Sequence, residues 1–182
     1  MLTVNNLSGF GSKATFKTTV IPVSSDWTQI GSGLSFGTGT FDASAEACAR
    51  TVDSFDGDFV LTATVNSETN WNFGCFAASE VNADATVFNS STGNGIKGIN
   101  HSYSYNGGDD SLFFGSARQG AGGAGGTWSQ HDVLTIKRVG TTVTFMKNTS
   151  DILAFSQAST VALMIMLGAG GTTDINDIQW VI

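Results

Sequence analysis

The residues best equipped for chemistry gather between Asn100 and Asp110, where His101, Tyr103, Tyr105, Asn106, Asp109 and Asp110 share one stretch with Gly and Ser. A pyranose is held by stacking on an aromatic face while amides, carboxylates and backbone groups bond its hydroxyls. Tyr103, Tyr105, Asn106, Asp109 and Asp110 are therefore candidate sugar contacts. Trp71, within Asn70-Trp71-Asn72, and Trp128, at the head of Trp128-Ser129-Gln130-His131, have the same character. Each has a plainer reading. Tyr103 and Tyr105 at i, i+2 suit one face of a strand, and Trp71 suits a core. Asp109 and Asp110 are also candidate calcium ligands, because that ion needs only loop oxygens. Asp53, Asp56 and Asp58 form a second acidic loop of that kind, although Asp-Gly pairs are equally ordinary turn chemistry.

Other chemistries are poorly served. Gly33-Leu34-Ser35-Phe36-Gly37 matches a nucleophile elbow, but Thr38-Gly39-Thr40 follows it and cannot open the helix that such an elbow requires. The glycine runs at 93–98 and 120–125 match a dinucleotide fingerprint without a helix behind them to hold a pyrophosphate. Glycoside hydrolysis needs paired carboxylates. The chain has only three glutamates, Glu46, Glu68 and Glu80, and no acids alternate along a convincing strand. The two histidines, His101 and His131, lack partners at zinc-ligand spacing. No catalytic residue is assigned.

The elements that must carry these residues are strands. Phe59, Leu61, Ala63 and Val65 alternate with more polar neighbours across Asp58–Asn66, and Trp71, Phe73, Cys75 and Ala77 do so across Trp71–Ala77. Val133–Arg138 and Thr142–Asn148 flank Val139-Gly140-Thr141 as a hairpin with Lys137, Lys147 and threonine hydroxyls outward. Val161–Leu167 is apolar on both faces and reads as a central strand. Asp177–Ile182 reads as the last one. Shorter strands are expected near Trp27–Ile30, Gly33–Phe36, Thr86–Asn89, Gly95–Asn100, Ser102–Tyr105 and Ser111–Ser116. Trp27 and Trp180 are assigned to the core. Ala43–Arg50 is the one helix candidate. Cys48 and Cys75 do not make a disulfide framework. Cys75 reads as a small buried hydrophobe, with a Cys48–Cys75 bridge left open.

Composition agrees. Charged residues make up 13% of the chain, with 23 glycines and one proline, a mixture suited to short strands and tight turns and unsuited to a helical bundle. The fold class is all-β, an antiparallel sandwich spanning residues 21–182, preceded by an N-terminal arm over residues 1–20. Net charge is −7, with eight Lys and Arg scattered against 15 Asp and Glu. Clustered cations for nucleic acid or an anionic membrane are missing. The longest apolar run, Val161–Leu167, is far below the roughly 18 residues of a membrane span. The first residues lack the basic and apolar regions of a secretory signal, so synthesis in a cytoplasm is expected.

The segments VLTIKRVGTTVTFMKN, VALMIMLGAGG, DINDIQWVI and, upstream, DGDFVLTATVN together resemble concanavalin A-like lectin/glucanase (laminin-G-like) jelly rolls. The likeness spans roughly residues 25–182 and rests on strand spacing, not on a strict motif. It implies the sandwich and, in glycan-binding members of the family, a saccharide ligand. The head of the chain, LTVNNLSGFGS, separately resembles the N-termini of bacteriophage virion proteins. That resemblance implies an arm docking on capsid or tail proteins, with Leu2, Val4, Leu7 and Phe10 as anchors. The expectation from both is a non-enzymatic virion subunit, used for decoration, cement or fibre, assembling as a homo-oligomer such as a trimer. The alternative is a carbohydrate-binding module, and the remote alternative is a glycoside hydrolase.

Overall fold

The computed structural model describes residues 18–66, 71–78, 100–105, 111–114, 117–121, 129–156, 162–170 and 172–182. Among these residues the regular structure is strand, apart from one 3₁₀ turn at Ser24–Asp26. The strands are β1 (Thr19–Val20), β2 (Trp27–Gly31), β3 (Leu34–Gly37), β4 (Thr40–Ala43), β5 (Glu46–Thr51), β6 (Phe59–Val65) and β7 (Trp71–Ala77). They continue as β8 (Asn100–Tyr105), β9 (Ser111–Phe114), β10 (Ala117–Ala121), β11 (Val133–Val139) and β12 (Thr142–Lys147). The last three are β13 (Ser150–Ser156), β14 (Leu163–Gly170) and β15 (Thr173–Val181). One sheet runs β13-β12-β11-β6-β15-β4-β3, with β1 also on β15, and the other runs β10-β9-β8-β7-β14-β5-β2. Each pairing is antiparallel. The two sheets close on one apolar core.

Alternation determines which side chains fill that core. Phe59, Leu61, Ala63 and Val65 of β6 are buried, while Thr62 and Thr64 between them face outward and stay half-buried. β11 follows the same rule with Leu134 and Ile136, then adds Arg138, only 1% exposed. A guanidinium at an inward position departs from apolar filling in the hairpin. Lys137, on the opposite phase, is half-buried as the pattern requires. Lys147, expected outward, instead lies opposite Leu134 on the inward phase at the end of β12, where its ammonium is 3.8 Å from the Asp132 carboxylate. From the facing sheet come Phe73 and Cys75 of β7 and Leu163, Ile165 and Leu167 of β14. β14 lies between β7 and β5, the central position its doubly apolar sequence demands.

Three segments differ from the expectations. Glu46–Thr51 is a strand and not the helix its Glu-Ala-Cys-Ala-Arg composition favours. Pairing with β2 on one side and β14 on the other overrides helical propensity, and Ala47, Cys48 and Ala49 are all buried there. The last strand begins at Thr173, ahead of Asp177. Asp177 sits inside it at a bulge, with φ of 50°, where the register against β6 slips between Asn176 and Gln179. Thr19 and Val20, assigned to the arm, pair with Val181 and Trp180, so the sandwich starts earlier than residue 21.

The edge of β15 that faces away from β6 is covered in sections. β4 pairs with Thr173–Ile175, the Gly39 carbonyl accepts from Ile178 N–H at 2.9 Å, and β1 follows at Trp180 and Val181. Thr18 and Ile182 then exchange backbone hydrogen bonds at 3.0 and 3.1 Å. Gly39 fits this role because its φ is +69° and a β-carbon there would lie 3.2 Å from the Ile178 carbonyl oxygen. Cys48 and Cys75 lie on strands separated by β14, opposite Gly168 and Ile165 respectively. They are too far apart to bridge and are not joined in a disulfide.

Candidate functional site

At the end of the sandwich where β1 meets β15, aromatic rings connect the two sheets. Trp27 stacks on Phe36 at 5.8 Å and meets Trp180 edge-on at 6.0 Å; Phe55 meets Trp180 edge-on at 5.6 Å. Phe55 is anchored by reciprocal backbone hydrogen bonds with Leu163 at 2.6 and 2.8 Å. Trp27 and Trp180, at 7% and 5% exposure, belong to the core as the sequence indicated, yet they also support the surface above them.

That surface is a cleft of about 510 Å³ whose lining includes Phe55 and Trp180 below and Ser25, Asp26, Asp53 and Ser54 around the rim. The segments on either side are locked together. Asp26 accepts from Val23 N–H at 2.8 Å, closing the 3₁₀ turn, and its carbonyl accepts from Val52 N–H at 2.9 Å. Thr51, 2% exposed, donates its hydroxyl to the Asp53 carbonyl at 2.7 Å and accepts from Ile165 N–H at 3.2 Å. The rim backbone is therefore fixed from beneath, while Asp53 itself stays exposed. Hydroxyls and carboxylates beside the accessible edges of Phe55 and Trp180 can bond a polyhydroxylated ligand, while the exposed Val52 and Ile182 offer it apolar contact.

A second cleft, about 540 Å³, lies on the outer face of the eight-stranded sheet. Thr62, Thr64, Asp177 and Gln179 supply its polar groups, with Ile21 and Val133 beside them. Elsewhere on that sheet, Asp42 of β4 and Asp174 of β15 are direct cross-strand partners. Burial and the neighbouring Asp174 charge both raise the Asp42 carboxyl above its ordinary value. Ser35, the serine of the elbow-like motif, lies opposite Asp42 in the β3–β4 hairpin, with no helix after it.

The sequence-derived candidates fare differently. Trp71 is corrected: at 1% exposure it is a core residue of β7 and has no face to offer a ligand. Positions 103 and 105 lie on β8 opposite Phe73 and Trp71. Asn106, Asp109, Asp110 and Trp128 lie outside the described residues, as do the anchors Leu2, Val4, Leu7 and Phe10. Among the described residues, no three of His, Cys, Asp and Glu converge as metal ligands, and Asp53, Asp56 and Asp58 do not gather as such a group. Asp58 instead accepts from Gly140 N–H at 2.7 Å. Among the described residues no helix is long and apolar enough to cross a membrane.

Sequence reasoning missed the union of Asp26 and Asp53 over Trp180, which lie far apart in the chain. It also missed the Asp42–Asp174 pair, although the alternation in Thr40-Phe41-Asp42-Ala43 already turns Asp42 outward.

No family model and no curated protein matches the chain. Solved structures do. A protein of unknown function with a galectin-like fold from Bacillus subtilis aligns over 93% of this chain and 97% of its own, with TM-score 0.64 and 12% identity. A structure from work on endo-acting O-glycanases of the human gut microbiota aligns over 92% and 99%, with TM-score 0.62 and 8% identity. A legume lectin-like domain from Entamoeba histolytica aligns over 85% and 89%, with TM-score 0.55 and 10% identity. These likenesses show the fold, which is the concanavalin A-like jelly roll expected from the strand spacing.

Proposed function

We propose that this chain is a carbohydrate-binding β-sandwich that holds a glycan without cleaving it. The observation that carries the reading is the cleft at the Trp180 end, where Ser25, Asp26, Asp53 and Ser54 surround an aromatic floor of Phe55 and Trp180. A lectin-like domain among the structural neighbours supports it, and the O-glycanase neighbour is why hydrolysis is tested alongside binding. Tyr103, Tyr105, Asn106, Asp109, Asp110 and Trp128 are proposed as further sugar contacts, and Asp109 with Asp110 as the place where calcium would act.

A glycan array, run with calcium and again with chelator, tests this directly. Specific binding is expected, weakened by Ser54→Trp in the cleft and by Tyr105→Ala or Trp128→Ala in the loops, with each variant still folded. No binding by folded protein refutes the reading, and release of reducing ends from a bound glycan refutes its non-catalytic part.

A second reading, compatible with the first, places the sandwich on a bacteriophage particle through its N-terminal segment, in a homo-oligomer that contacts capsid or tail proteins. It rests on the likeness of LTVNNLSGFGS to virion-protein N-termini. Because Thr18–Val20 pair with β15, the truncation that tests it removes residues 1–17 only. Loss of particle incorporation by a folded truncated chain is expected; retained incorporation refutes the arm.

A further inference from the structure

Resting on the carbohydrate reading, we infer that the Trp180 cleft selects glycans bearing free amino groups, such as deacetylated hexosamine polymers, over neutral ones and rejects uronates and sulfated sugars. The argument is the composition of the rim. Asp26 and Asp53 both border the cleft, and among the described residues that line it none is Lys, Arg or His. Arg50, the cation nearest in sequence, is committed elsewhere. It lies out of phase with the core-facing Ala49 on β5, and its guanidinium reaches Met164 Sδ at 3.9 Å and the Thr51 carbonyl at 3.4 Å. A net charge of −7 strengthens the same preference at long range.

The two carboxylates have different duties. Asp26 is held by Val23 N–H at 2.8 Å, which fixes its position but occupies one oxygen. The carboxylate of Asp53 is exposed on a segment whose backbone is pinned by Thr51. A protonated amine arriving over the Phe55–Trp180 floor would meet Asp53 first, with Asp26 as a fixed second charge. Ser25 and Ser54 remain for hydroxyls, which any hexose supplies. The charge pair therefore decides which sugar is preferred, while the floor and hydroxyls bind sugars in general.

The test is titration calorimetry of the full chain against hexamers of glucosamine, N-acetylglucosamine and glucose, and against an oligogalacturonate. It is run at about pH 6 and at low ionic strength. The glucosamine hexamer is expected to bind about three- to tenfold more tightly than the neutral hexamers, the margin shrinking as salt rises. Asp53→Asn should erase the margin and leave neutral binding unchanged. Asp151→Asn, an exposed acid on the distant edge strand β13, should preserve it and so separates the cleft from bulk charge. Equal affinity for neutral and amino sugars, galacturonate binding, or a margin that survives Asp53→Asn overturns the inference and leaves the carbohydrate reading standing. Failure of all four ligands together with an empty glycan array overturns the reading itself.

Discussion

Replacing Gly39 with alanine should be among the most damaging small changes available on this surface, and its cost can be assembled from separate terms. Gly39 has φ of +69°, where an L-residue pays about 1–2 kcal/mol. Its new β-carbon would lie 3.0 Å from Ile21 Cγ2 and 3.2 Å from the Ile178 carbonyl oxygen. Ile21 is 55% exposed and can swing away. The carbonyl cannot, because the Gly39 carbonyl accepts from Ile178 N–H at 2.9 Å and Gly39 N–H donates to Pro22 at 2.8 Å. Relieving the contact stretches one or both bonds, each worth about 1 kcal/mol. The reduced freedom of the unfolded chain returns about 0.4–1 kcal/mol. The net expectation is about 2–3 kcal/mol of lost stability, or roughly a 1–2 M fall in the urea midpoint at unchanged slope. Gly140→Ala is the control. It also has positive φ, +55°, but a β-carbon there meets nothing within 4 Å. It should cost only the conformational term of about 1–2 kcal/mol, less the same entropic return. Equal midpoints for the two variants would refute the claim that Gly39 is required by close approach to β15.

Further outcomes follow from individual residues. Asp42 is raised by burial and by Asp174, so this pair favours folding most at low pH, and that contribution is lost as pH rises from the ordinary value of 3.8 through the raised one. Asp42→Asn should therefore stabilise the protein at neutral pH by a few tenths to about 1 kcal/mol, leave stability at low pH unchanged, and remove the loss of stability across that window. A destabilised variant would show that Asp42 makes a favourable contact instead. Burial pushes the Cys75 thiol far up, against the opposing influence of Arg138, and Cys48 is 0% exposed. Neither thiol should react with a disulfide reagent until the chain unfolds, and a fast native phase of one equivalent would contradict this. Asp132, 9% exposed, accepts from Ser129 N–H and Asn148 Nδ2 and lies 3.8 Å from the Lys147 ammonium. Asp132→Ala should cost about 2–3 kcal/mol in urea denaturation by orphaning those donors, and a loss below 0.5 kcal/mol would show that water replaces them.

The legible parts of the fold were those where one side chain in two is forced inward. β6, β7 and the β11–β12 hairpin follow from alternation alone, and β14 follows from being apolar on both phases. β5 was misread because Ala, Glu and Arg favour helices locally, and only its two neighbours in the sheet make it a strand. β4, β10 and β13 were missed because Thr40-Phe41-Asp42-Ala43 is short and the other two lie at sheet edges, where burial imposes little pattern. The Trp180 cleft was illegible for a different reason. Its acids come from the 3₁₀ turn and from the β5–β6 connection, its floor comes partly from β15, and no local spacing records that union. Trp71 illustrates the converse error. An aromatic flanked by asparagines has the composition of a sugar platform, but the phase of its strand points it inward.

The reciprocal hydrogen bonds between Thr18 and Ile182 determine how the domain would respond to being pulled. Tension applied at residues 18 and 182 enters at one end of an antiparallel β1–β15 pair. It would load the backbone bonds one after another and not all in parallel, so β1 should peel away like a zipper at low force. Gly39, bonded to both Pro22 and Ile178, is the next tie along β15 and the first point at which the sandwich itself would resist.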